Sequence, residues 1–188
     1  KTYSIYDDTD ITSDATTSEV VGHVSLPKSF NLKEARADKD LYLVKTHELY
    51  DKKIFNSDPI IYIARDGRSA TVSAVNYNNT YRAQNKLLLD GIYGNIWGGA
   101  WGDHIKSWCL SNVKNPFLLL KYEDLIQDPA LIIKELSNYL CLEPTSFEIP
   151  TFIELNKINP LFFRSGKLNG WEEELETEDH ISFWFKNY

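Results

Sequence analysis

The stretch from Pro59 to Tyr77, PIIYIARDGRSATVSAVNY, predicts a buried strand, a charged turn and a helix. Residues 60–64 form a short apolar run without alternation, which is typical of a strand covered on both faces. Arg65 follows that strand, and Asp66-Gly67 supplies a tight turn. Ligands of open α/β sheets bind beyond the carboxyl ends of the strands, so Arg65 and Ser73 are candidates for gripping a phosphate. An ordinary surface ion pair between Arg65 and Asp66 is the alternative.

Composition excludes several classes of protein. The chain has 188 residues, 43% of them hydrophobic, which suffices for one buried domain and is short for two. A net charge of −7 without a basic run argues against nucleic acid or an anionic membrane as a partner. No segment approaches the ~18 to 20 apolar residues of a membrane span, and no signal peptide opens the chain, so a cytoplasmic location is expected. Cys109 and Cys141 lie in apolar helical patterns and are interpreted as reduced core thiols.

A second short buried strand, Leu41–Val44, runs directly into Lys45-Thr46-His47. Lys45 and His47 point to the same side of an extended chain, where one can hold an anion while the other handles a proton. Three residues alone are weak evidence, and a hydrogen-bonded structural histidine is the alternative.

Three further segments carry interpretable patterns. Pro116–Leu125 predicts a third buried strand that ends in Lys-Tyr-Glu-Asp, and Asp128-Pro129 predicts the start of a helix. Gly91–His104 is rich in Gly and aromatic residues, which suits either the wall of an acceptor pocket, through Tyr93, Trp97 and Trp101, or a packed loop. Phe162–Trp171 is a basic turn that contains Arg164 and Lys167.

In combination, these motifs resemble the sulfotransferases that use 3′-phosphoadenosine 5′-phosphosulfate (PAPS). Tyr62–Arg68, followed by Ser73 and Tyr77, is similar to the strand–turn–helix that binds the 3′-phosphate in this family. Lys-Thr-His at a strand end and Tyr-Glu-Asp before Asp-Pro match the family in order. The Arg164–Trp171 segment is similar to its Arg-Lys-Gly loop, with Ser165 in place of Lys and Asn169-Gly170 where Gly-Asp is expected.

The resemblance implies an α/β fold in which a mostly parallel sheet is flanked by helices, as in P-loop kinases. It also implies transfer of a sulfonate group from PAPS to a hydroxyl or amine of a small-molecule acceptor, with 3′-phosphoadenosine 5′-phosphate (PAP) as product and no metal. By the same resemblance, His47 is the general base and Lys45 a transition-state stabiliser, Tyr122 borders the adenine, and the other nucleotide contacts are Arg65, Ser73, Thr151, Phe152, Arg164, Ser165 and Gly166.

The expected organisation is one domain over residues 1–188, with an irregular acidic segment at 1–40 and the core at 41–188. The family's 5′-phosphosulfate loop should precede Lys45 by some tens of residues. Leu26-Pro27-Lys28-Ser29 echoes that loop but lacks its Gly and lies too close to His47. We therefore expect an N-terminally incomplete copy of an enzyme, and a catalytically degenerate nucleotide-binding protein is the alternative.

Overall fold

The computed structural model describes residues 2–4, 24–25, 32–55, 57–143 and 149–188. Leu26–Ser29 and most of the acidic segment before residue 31 lie outside this part of the chain. The segment 1–40, expected to be irregular apart from a short helix around Leu32–Ala37, contributes that helix and two strands.

Five short strands form two parallel sheets in the described residues. β1 (Thr2–Ser4), β2 (Val24–Ser25) and β3 (Leu43–Lys45) pair in the order β2-β1-β3. β4 (Ile60–Ala64) pairs with β5 (Phe117–Lys121), so that Ile60 lies opposite Phe117 and Ala64 opposite Lys121. The predicted parallel α/β arrangement is confirmed.

Helices connect and flank these strands. They are α1 (Leu32–Ala37), α2 (Lys52–Phe55), α3 (Gly67–Tyr81), α4 (Leu88–Tyr93), α5 (Trp101–Ile105), α6 (Tyr122–Gln127), α7 (Pro129–Leu140), α8 (Phe152–Ile158) and α9 (Thr177–Asn187). A π-helical turn over Lys106–Leu110 continues α5, and a 3₁₀ turn over Gly170–Glu173 precedes α9. Within the ranges that the structure describes, every helix is too short or too polar to cross a membrane.

The central strand β4 buries only one of its faces. Ile60 and Tyr62 are buried and pack in one cluster with Trp108, whereas Ile63 is 54% exposed. The prediction that β4 is covered on both faces is therefore wrong. β3 is likewise not a buried strand, because Leu43 is 40% exposed.

The predicted start of α7 is confirmed. The Asp128 carboxylate accepts a hydrogen bond from the Leu131 N–H at 3.1 Å, and Pro129 occupies the first turn, where its missing N–H is not needed. The helix ends at Cys141, which is exposed in a left-handed conformation with φ of +54°. Cys141 is thus not a core thiol, while Cys109 is half-buried.

Candidate functional site

A cleft of about 900 Å³ lies where β3 and β4 end. Every residue from 41 to 47 and from 59 to 65 borders it. Because the side chains of a strand alternate between its two faces, a cleft bordered by consecutive residues runs along the strand edges. It brings together four of the predicted site residues, namely Lys45, His47, Arg65 and Ser73.

Arg65 follows β4 directly, as predicted, and its guanidinium is oriented from two sides. The guanidinium carbon lies 4.5 Å from the centroid of the Tyr122 ring, and Nη2 lies 3.5 Å from the Lys167 carbonyl oxygen. Its Nε is buried without a hydrogen-bond partner. A buried N–H without a partner is costly, so this donor is suited to an anion that enters the site.

The turn after Arg65 is built around Asp66, which caps α3. The carboxylate accepts hydrogen bonds from the N–H groups of Arg68 and Ser69 and pairs with the Arg68 guanidinium at 2.6 Å. Burial opposes ionisation of Asp66, but its hydrogen bonds with Arg68 and the charge of Arg68 outweigh burial and lower the pKa. The alternative drawn from the sequence, an ion pair between Arg65 and Asp66, is wrong, because Asp66 pairs with Arg68 instead.

Two neighbouring helices, α5 and α6, fix the position of this turn. Glu123 in α6 accepts a hydrogen bond from the Asp66 N–H at 3.1 Å, and the Trp101 indole donates to the Arg65 carbonyl at 3.2 Å. At Gly67, a Cβ atom would lie 2.5 Å from Trp101 Cδ2, so only glycine permits this approach. Glu123 thus serves a structural role, and it lies in a helix rather than at the predicted strand end.

The basic turn at residues 164–168 packs against the same region. The Ser69 hydroxyl donates to the Leu168 carbonyl at 2.7 Å, which ties the turn to the beginning of α3. Arg164 pairs with Glu174 at 2.8 Å, and Lys167 pairs with Glu173 at 2.5 Å. Arg164, which was predicted to hold a phosphate, and the neighbouring Lys167 are therefore engaged with carboxylates in this structure.

Thr151 and Phe152 lie at the start of α8, not in a linker. The Thr151 hydroxyl caps the helix and exchanges hydrogen bonds with Glu154. Phe152 packs so closely on Gly166 that a Cβ atom there would lie 2.6 Å from the ring, and Gly166 has φ of +61°. These two residues thus accompany the 164–168 turn and do not border the cleft.

His47 is exposed and borders the same cleft as Arg65. Its ring meets the edge of Trp97 with 5.0 Å between ring centroids. Trp97 itself is anchored on α3, because its N–H donates to the Asn78 side chain at 3.1 Å. No three His, Cys, Asp or Glu side chains in the described ranges cluster as a metal ion requires.

His104 and Tyr62 are site residues that the sequence did not reveal as a pair. Tyr62 Oη lies 2.9 Å from His104 Nδ1, and both residues border the cleft. Burial lowers the pKa of His104 and raises that of Tyr62, so both remain neutral near pH 7. Since 42 positions separate them along the chain, no local pattern signals the contact.

The aromatic residues that were predicted to line an acceptor pocket divide between the cleft and the surface. Trp97 and Trp101 border the cleft, together with Tyr77 and Phe162, whereas Tyr93 is exposed elsewhere.

Arg68, which the sequence did not single out, stacks on Trp171 with 3.7 Å to the ring centroid. Its position within the Asp-Gly-Arg turn is the signal that could have identified it.

The chain is similar to a known protein family and to curated proteins. The family described as "Sulfotransferase domain" matches residues 26–183. Mouse sulfotransferase 1B1 is 31% identical over 134 residues, covering 63% of this chain and 45% of the mouse protein. Rat sulfotransferase 1A1 is 27% identical over 178 residues, covering 75% of this chain and 60% of the rat protein. The chain thus spans less than two thirds of the length of these relatives.

Solved structures share the fold at lower identity. A mouse sulfotransferase, SULT7A1, in complex with PAP superposes with a TM-score of 0.64 at 17% identity, over 98% of this chain and 80% of that one. Retinol dehydratase in complex with androsterone and the inactive cofactor PAP gives a TM-score of 0.57 at 15% identity, over 86% and 53% of the respective chains.

Proposed function

Because this chain belongs to the sulfotransferase domain family, we propose that it transfers a sulfonate group from PAPS to a hydroxyl or amine of a small-molecule acceptor. The observation that carries the proposal is the buried, unpartnered Nε of Arg65 at the carboxyl end of β4. An arginine offers several donors in a fixed planar array, which matches the oxygens of a phosphate group.

In the proposed arrangement, the nucleotide lies across β4, α3 and the 164–168 turn. Arg65 and Ser73 hold its 3′-phosphate, assisted by the loop residues Arg164, Ser165 and Gly166. Tyr122 borders the adenine, because its ring already orients the Arg65 guanidinium. Phe152 completes this nucleotide site through its packing at Gly166, and Thr151 precedes it as the cap of α8.

The reaction in this proposal is an in-line displacement in which positioning and charge stabilisation supply most of the catalysis. A new bond forms from sulfur to the acceptor, S–O with a hydroxyl or S–N with an amine, while the S–O bond to the nucleotide breaks and PAP leaves. His47 accepts the proton from the acceptor, a task for which the ordinary pKa range of histidine is suitable. Lys45 neutralises the charge that develops on the oxygen of the broken bond.

The cleft favours an apolar acceptor of modest size. Its walls present aromatic surfaces from Tyr77, Trp97 and Phe162 beside the exposed His47. Flat aromatic walls with a few polar groups are typical of small-molecule sites. The cytoplasmic location expected from the sequence stays a prediction.

Calorimetric titration with PAP tests the nucleotide part of the proposal, with AMP as the control that lacks the 3′-phosphate. We expect tight binding of PAP and much weaker binding of AMP, because Arg65 and Ser73 contact only the 3′-phosphate. Equal affinities for the two nucleotides, or no binding of PAP, would contradict the proposal.

A nucleotide-binding protein without catalysis is the second candidate. It would need the same nucleotide contacts as the enzyme, Arg65, Ser73 and Arg164, but no general base. Replacement of His47 by alanine separates the two candidates. For the enzyme, we expect His47→Ala to abolish turnover of a phenolic acceptor panel while PAP affinity stays nearly intact. A large loss of PAP affinity would show that His47 binds the nucleotide instead.

A further inference from the structure

One face of α5 and the π-helical turn holds the chain segment that carries His47. The Trp108 indole donates to the Glu48 carbonyl at 2.9 Å, and the Ser107 hydroxyl accepts from the Tyr50 N–H at 3.1 Å. The backbone of His47 and Glu48 also faces the His104 ring, where it partly offsets the effect of burial on the pKa of His104. Single π-helical turns inside helices occur frequently at functional sites.

The hydrogen bonds of His104 define its tautomer. The Tyr62 hydroxyl remains protonated and therefore donates to Nδ1, which lies 2.9 Å away. Nε2 then carries the ring proton, and the backbone of residues 47 and 48 offers it an acceptor, since a backbone contact that favours the protonated ring is one with an acceptor. Both ring nitrogens are engaged, so His104 is not itself available to take a proton from an acceptor.

This connection joins two parts of the structure that no strand pairing joins. Tyr62 lies in β4, three residues before Arg65, whereas His47 follows β3 in the other sheet. The distance between His47, the proposed base, and Arg65, the proposed phosphate anchor, therefore depends on the path from Tyr62 through His104 to the His47 backbone.

We propose that His104 is a positioning residue, which fixes His47 relative to Arg65 through the Tyr62 hydroxyl on one ring nitrogen and the His47 backbone on the other. This inference rests on the proposed function for its catalytic consequence only. The structural connection itself can be tested without turnover.

The chain offers a graded set of variants. His104→Gln retains an N–H donor near the position of Nε2, whereas His104→Phe retains the ring shape without either nitrogen. Tyr62→Phe removes only the hydroxyl that holds His104. Tyr139→Phe is the matched control, because the Tyr139 hydroxyl also bonds β4, at the Ile60 backbone, but on a site remote from His47.

The first measurement is NMR of the ligand-free protein, following the backbone amides of His47 and Glu48 and the titration of the His47 ring. We expect these signals to shift in His104→Phe and Tyr62→Phe, to stay close to wild type in His104→Gln, and to be unchanged in Tyr139→Phe. Unchanged signals in a folded His104→Phe protein overturn the proposal. Should His104→Phe not fold, unchanged signals in Tyr62→Phe overturn it equally.

The second measurement is turnover beside PAP affinity. A base displaced by about 1 Å loses roughly tenfold to hundredfold in rate. We expect that loss in kcat for His104→Phe, with partial rescue in His104→Gln and PAP affinity within about twofold throughout. Equal losses in Tyr62→Phe and Tyr139→Phe would contradict a specific role. A wild-type protein without PAP binding or turnover would refute the proposed function, while the NMR result would still decide the connection.

Discussion

Arg65 combines a packed position with an unused donor, and its replacement has a definite expected effect. Arg65→Ala should weaken PAP binding by roughly 2 to 4 kcal/mol, the range for removing one partner of a sheltered charge pair. Arg164→Ala should lose less, because the Arg164 guanidinium is already paired with Glu174 and largely exposed. Calorimetry on both variants checks this order, and an Arg65→Ala protein with wild-type affinity would remove Arg65 as the anchor.

His104 makes stability depend on pH in a direction that its surroundings define. Burial lowers its pKa, and the backbone of His47 and Glu48 and the charge of Glu48 oppose this only in part. The unfolded chain has a histidine pKa near ~6.5, so above that pH both states are neutral and stability is complete. As the pH falls below ~6.5, His104 in the unfolded state binds a proton that it does not bind in the folded state, and the free energy of unfolding decreases.

Urea unfolding at pH 8, 6 and 5 measures this effect. We expect the wild type to lose more stability between pH 8 and 5 than His104→Gln, which has no proton to gain. Glu48 and Tyr62 face His104 and are retained in both proteins, so they cancel in the comparison. Parallel curves for the two proteins would show that His104 does not contribute.

At the scale of the element, the approach of α5 to the beginning of α3 depends on Gly67. A methyl group at this position would lie 2.5 Å from Trp101 and 2.6 Å from Phe183. We expect Gly67→Ala to destabilise the protein by about 1–3 kcal/mol, as overpacking typically does, and to displace the Arg65 turn.

Gly170→Ala is the matched control for this prediction. Its added Cβ would meet only Ser165 and Lys167 side-chain atoms at 3.6 and 3.7 Å, which is ordinary contact. Chemical denaturation should therefore show a large loss for Gly67→Ala and a small change for Gly170→Ala. Similar losses for both would mean that the contacts of the added methyl group with Trp101 and Phe183 are not responsible.

At the scale of the whole molecule, the proposed nucleotide contacts four separate elements, and its binding should stabilise them together. With PAP at about 100 times its Kd, mass action adds about 2.7 kcal/mol to the free energy of unfolding. Thermal unfolding with PAP and with AMP measures this, and we expect the larger increase in Tm with PAP. Hydrogen exchange should slow at β4, α6 and the 164–168 turn, and slowing confined to other regions would place the ligand elsewhere.

The sequence predicted an element correctly where the residues that determine it all lie in one short stretch of the chain. The strand, turn and helix at 60–81 followed from an apolar run, Asp-Gly and a helical pattern, all within one short stretch. The exposure of Ile63 and Leu43 did not follow, because an apolar run does not tell which neighbours cover each face. The link between Tyr62 and His104 did not follow either, since it depends on how α5 docks against β4.

The register of β4 and β5 also constrains the order in which the chain can form its structure during synthesis. Ile60 pairs with Phe117, so β4 cannot pair with β5 until about 57 further residues have emerged from the ribosome. Closing so long a connection costs conformational entropy before any favourable contact between the two strands forms. We therefore expect helices α3 to α5 to form first. The Arg65 region also needs Lys167, which lies 102 positions later, so it is completed only after β4 and β5 are able to pair.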